Sequence, residues 1–94
     1  MLKVNCDICG KGMKNGLLET DLLGFHGQDG PRPNEWRWLH YKCDPNPDRY
    51  TYFIRLPQIT TIEARNEWVR HLAEKRWWNP NTWDVAMSRA EWIR

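Results

Sequence analysis

Two short pairs of metal-binding residue types constrain this chain more than anything else in it. The sequence reads Cys6-x2-Cys9, then residues 10 through 39, then His40-x2-Cys43. Two donors separated by two residues in a tight turn aim their side chains at one centre. A second pair with the same spacing supplies two more donors, and four donors in a tetrahedron are what zinc prefers. Gly10 and Gly12 follow the first pair and favour the turn that such a knuckle needs. All three cysteines of the chain are used in this way, which accounts for their odd number.

Other chemistries fit the same residues less well. A redox Cys-x-x-Cys leaves His40-x2-Cys43 without a role. Zinc deaminases place a His-x-Glu motif before Pro-Cys-x-x-Cys, whereas here the cysteine pair comes first and no such Glu adjoins His40. His26, in Gly24-Phe25-His26-Gly27, is a fifth candidate ligand that lacks a partner at metal spacing, so it reads as an exposed loop residue. His71 reads as solvated. Four protein donors close the coordination sphere, and no Ser–His–Asp set or phosphate-cradling loop is evident. The expectation is a structural zinc ion and a protein that is not an enzyme.

A metal staple also suits the size. Ninety-four residues make one domain, and chains this short often need a staple besides their core. Only 40% of the residues are hydrophobic, yet seven are Trp, and each buried aromatic removes roughly 150–250 Å² from water. Fourteen basic residues against twelve acidic ones leave a net charge of +2, which neither excludes nucleic acid nor points to it. The start lacks a signal-type apolar run, and no stretch nears the roughly 18 apolar residues of a membrane span. A reducing, cytoplasmic setting without membrane contact is the expectation.

Periodicity divides the chain into an α+β arrangement within a single domain, 1–94. Residues 1–56 form a zinc-stabilised β-rich half: a knuckle, a hairpin and a further strand. Residues 58–94 form a helical hairpin packed on it. Leu17–Leu23 is a possible strand, and 24–35, rich in Gly and Pro, reads as a loop. Glu35–Tyr41 alternates, with Trp36, Trp38 and His40 on one face. Tyr50–Leu56 is the clearest strand, with Tyr50, Tyr52, Ile54 and Leu56 on one face, and Pro57 ends it. Thr60 with Glu63 predicts a capped helix start, and Ile62, Trp68, Val69, Leu72, Ala73 and Trp77 share a broad apolar face. Arg65 and Arg76 project into that half, positioned to lie over Trp rings. Asn79-Pro80-Asn81 breaks the helix. Asn81 is expected to cap a second one to about Ile93, with Trp83, Ala86, Met87, Ala90 and Ile93 on one side and Val85 and Trp92 on the other.

Cys6-Asp7-Ile8-Cys9-Gly10-Lys11 followed by Trp38-Leu39-His40-Tyr41-Lys42-Cys43 resembles a single LIM-type or treble-clef zinc finger over about residues 4–44. The resemblance implies Cys6, Cys9, His40 and Cys43 as ligands and a binding role in place of catalysis. Such a finger carries a helix at its second ligand pair, which Pro45 and Pro47 shorten. A helix cannot turn both Trp77 and Trp78 inward, and exposed Trp beside Arg is the composition of an interface hot spot. Trp77, Trp78, Trp92 and Arg76 are therefore the expected partner surface, for another protein or a second copy of the chain. The competing reading is a nucleic-acid-binding zinc finger, with Trp rings as stacking platforms.

Overall fold

The computed structural model describes residues 2–13, 18–28 and 32–93. The protein is α+β: strands that carry the Cys/His group come first and two helices follow. In chain order the elements are β1 (Leu2–Lys3), β2 (Asp21–His26), β3 (Glu35–His40), β4 (Tyr52–Arg55), α1 (Ile62–Leu72), α2 (Pro80–Ser88) and β5 (Glu91–Trp92). Single 3₁₀ turns cover Tyr41–Cys43, Pro47–Arg49 and Leu56–Ile59.

The main sheet has the order β3-β2-β4, antiparallel throughout. Its central strand β2 is buried along its whole length, and this is where the sequence misleads. The stretch 24–35 reads as a loop because of its glycines, but Gly24, Phe25 and His26 continue the strand. Gly24 serves close approach and not a turn. A Cβ there would lie 2.6 Å from the Tyr50 ring, which occupies the space beside the strand at this point.

Register sets the core. Leu23 stands opposite Trp38 and Ile54, and Phe25 opposite Trp36 and Tyr52, so these side chains share one face. The helices cover that face. Trp83 of α2 meets Trp36 edge-on at 5.1 Å, and the Trp38 indole N–H donates to the Ala86 carbonyl at 2.8 Å. Trp36 and Trp38 are at most 1% exposed. At ~25 cal/mol per Å², burying one such ring contributes about 4–6 kcal/mol as an upper bound. A few tryptophans thus replace the aliphatic residues this composition lacks.

Both helices differ in their ends from the sequence reading. Thr61, not Thr60, caps α1: its hydroxyl accepts from the Ala64 N–H at 3.0 Å. Asn79, not Asn81, caps α2, with Pro80 in the first turn, where its missing N–H costs nothing. α2 stops at Ser88 and not near Ile93, and Glu91–Trp92 pairs antiparallel with Leu2–Lys3. On α1, Arg70 pairs with Glu67, one turn back.

A candidate metal centre

The first ligand pair sits in a small hairpin. The Met13 N–H donates to the Val4 carbonyl, the Cys6 N–H to Lys11 and the Gly10 N–H to Cys6, all within 2.9 Å. Gly10 takes a φ of 78°, which a side-chain-bearing residue adopts only at a cost. That conformation lets the chain reverse directly after Cys9. The turn also aims the backbone N–H groups of Ile8 and Cys9 at the Cys6 sulfur, at 3.4 and 3.5 Å. The second pair needs no turn of that kind. His40 closes β3, and one 3₁₀ turn returns Cys43 to the same point. A LIM-type or treble-clef finger implies a longer helix here. The turn is short because Pro45 and Pro47 follow, and prolines do not extend a helix.

Asp7 joins the two pairs, a role that motif spacing did not reveal. Its N–H donates to the Trp38 carbonyl and its carboxylate accepts from the Trp38 N–H, both at 2.7 Å. The knuckle therefore docks on the outer edge of β3, two residues before His40. Arg89, just past α2, bridges to the same carboxylate at 3.1 Å and donates to the Trp36 carbonyl at 2.9 Å. The only signal in the sequence was an acid placed between two ligands.

The result is a cluster of four donors. One ligand atom from each of Cys6, Cys9, His40 and Cys43 lies within 4.8 Å of the others. His40 Nδ1 is 3.4 Å from Cys9 Sγ and 3.6 Å from Cys43 Sγ. A tetrahedral zinc ion with Zn–S of about 2.3 Å and Zn–N of about 2.0 Å requires S···N separations of about 3.5 Å. The donor set and its spacing thus fit zinc, and all three cysteines are free of disulfides. Burial pushes the Cys6 thiol up, but hydrogen bonds from the Cys9, His40 and Ile8 backbones outweigh it and hold it at about 6. Burial and the neighbouring Cys9 and Cys6 push Cys43 up to about 11. The two thiols are thus shifted in opposite directions, as crowded thiols are when no metal has replaced their protons.

His26 is not among the ligands, and it is not an exposed loop residue either. It is 2% exposed on the opposite face of the sheet, its ring centroid 3.8 Å from that of Tyr50. Among the described residues neither ring nitrogen has a hydrogen-bond partner. Burial, then the Arg37 charge, lowers its pKa. Among the described residues the Tyr50 hydroxyl and Arg37 Nε on the same side also lack a hydrogen bond.

Trp77, Trp78, Trp92 and Arg76 are spread over the rim of the core. α1 ends at Leu72, so Trp77 and Trp78 lie in a turn and can diverge. Trp77 stacks on Phe25 at 4.3 Å and Trp78 tilts against Trp83 at 5.6 Å. Trp92 lies below the Arg65 guanidinium at 5.0 Å, and its N–H donates to the Ile59 carbonyl. These three rings are half-buried, and Arg76 is exposed.

No family model matches the chain, and no curated protein or solved structure matches it either. Among the described residues, no helix is long and apolar enough to cross a membrane.

Proposed function

We propose that the protein is a non-enzymatic binding module, stabilised by one structural zinc ion, that recognises another protein. The observation that supports it is the convergence of four protein donors on one point. A tetrahedron filled by the chain leaves no position for a metal-bound water, and so no Lewis-acid chemistry on a substrate. In this reading Cys6, Cys9, His40 and Cys43 fix the fold, and recognition belongs to the surface around them. The LIM-type or treble-clef resemblance points to the same role, with the 3₁₀ turn at Tyr41–Cys43 standing where the finger helix would begin.

Two surfaces offer themselves for recognition. One is the rim where Trp77, Trp78, Trp92 and Arg76 emerge. The other is a cleft beside the metal ligands. Recognition of nucleic acid is the rival reading, and near-balanced charge favours it less than protein. Metal analysis and binding assays test the proposal together. One zinc per chain is expected, with no measurable binding of generic single- or double-stranded oligonucleotides at physiological salt. Zinc-free protein with reactive thiols in the folded state would overturn the metal reading. Tight, salt-sensitive oligonucleotide binding would overturn the partner class.

A further inference from the structure

A cleft of about 540 Å³ is lined by Cys9, His40 and Cys43, three of the four candidate metal ligands. Its walls carry Leu18 and Tyr41, 43% and 49% exposed, which are among the most exposed large apolar side chains of the protein. Lys11 and Lys42 stand at the same cleft. Apolar groups around a concave floor with charge beside them are the anatomy of a docking site, provided that something identifies the occupant.

Charge identifies it. Two acids of this region already have cationic partners, Asp7 with Arg89 and Glu19 with Arg55, while the Asp44 carboxylate accepts from the Asn46 N–H and keeps its charge. Asp21, on the cleft wall, is 1% exposed and has a partner of its own. Lys11 and Lys42, in contrast, form no ion pair among the described residues. The exposed charges on the cleft wall are these two ammonium groups, whereas Asp21 is buried and the single negative charge that a zinc ion would leave on three thiolates lies on the cleft floor. Two other apolar surfaces lack this combination. The groove by Trp78 and Met87 is about 280 Å³ and mixes Arg65 with Asp84. Phe53 lies under Arg55, its ring centroid 5.7 Å from the guanidinium.

We propose that this cleft docks an acidic peptide segment of a partner protein, with an apolar side chain seated between Leu18 and Tyr41 and carboxylates on Lys11 and Lys42. The proposal rests on the reading of the protein as a protein-binding module. The zinc centre then acts as the floor of the site: the same turn that presents Cys43 also presents Tyr41 and Lys42.

The test is selection of a random peptide display library on the zinc-loaded, full-length protein, followed by titration of the enriched peptides. Enrichment of peptides with acids flanking an apolar residue is expected. Binding should weaken about tenfold in a Lys11→Glu/Lys42→Glu variant and in a Leu18→Ser/Tyr41→Ser variant, each first shown to keep one zinc and its melting temperature. If a substitution in the apolar pair loosens the fold, the lysine variant alone decides, since both ammonium groups are exposed. Enriched peptides that are not acidic, or that bind both variants unchanged, overturn the cleft while leaving a protein-binding role at the Trp78 rim. Recovery of no peptide, with tight oligonucleotide binding, overturns both readings.

Discussion

At the scale of single residues, the metal ligands and Asp7 have separable roles. Cys9→Ser removes a donor whose binding energy is also folding energy, so zinc content should fall below one per chain with loss of soluble, folded protein. His40→Ala should likewise release metal, and His26→Ala should not, because His26 lies on the other side of the sheet. Retention of zinc by the His40 variant and loss by the His26 variant would move the second ligand pair. Asp7→Ala leaves the Trp38 N–H without its acceptor and removes the carboxylate partner of Arg89, which keeps only carbonyl acceptors, at a cost of about 1–3 kcal/mol. Urea denaturation should show that loss even with zinc in excess. His26 adds a pH dependence. Its folded-state pKa lies below the ordinary 6.5, so its neutral form stabilises the fold above about pH 6.5 and that contribution is lost as the pH falls below it. The melting temperature should therefore drop in that acid range less steeply for His26→Phe, which keeps a ring against Tyr50, than for wild type. Equal slopes would show that His26 contributes nothing.

At the scale of elements, two features can be checked without touching the metal. Gly24→Ala drives a methyl group into the Tyr50 ring, so either β2 or the segment leading into β4 must shift. Overpacking of this kind costs about 1–3 kcal/mol. Equilibrium denaturation should report it, and unchanged stability would mean that Tyr50 can move aside freely. Helix α2 starts at Asn79, whose side chain accepts from the Asn81 N–H at 2.9 Å. Asn79→Ala should cost about 1 kcal/mol, and Asn81→Ala much less. The reverse order would return the cap to Asn81.

At the scale of the whole molecule, three long-range contacts tie the Cys/His hairpin to the aromatic core. β1 pairs with β5, Asp7 ties the knuckle to β3, and Arg89 ties both to the end of α2. A structural zinc ion contributes about 10–16 kcal/mol in small fingers, comparable with the entire stability of an ordinary domain. Removing zinc with a chelator should accordingly abolish the near-UV signal of the tryptophans together with the helical far-UV signal, in one transition. Survival of the tryptophan signal in metal-free protein would show that the sheet and helices stand alone.

Local chemistry was legible in the chain; long-range packing was not. Ligand spacing is local: two residues between donors and a glycine after them define a knuckle whatever surrounds it, and the four donors meet as that spacing requires. The alternation around Trp36 and Trp38 identified a strand and its buried face in the same way, whereas Tyr50, grouped in sequence with Tyr52 and Ile54, packs on the other face against Gly24 and His26. The second half of Trp77-Trp78, the end of α2 and the place of His26 depended on contacts distant in sequence. Trp92 leaves the helical pattern because Leu2 and Lys3 offer a strand partner about ninety residues away. Gly24 stays in a strand because Tyr50 fills the space its missing side chain leaves. Residue order alone determined which donors a metal would find and that strands would precede helices. Tertiary structure decided which tryptophans close the core and which face of the metal centre stays open, because burial depends on neighbours that sequence proximity does not supply.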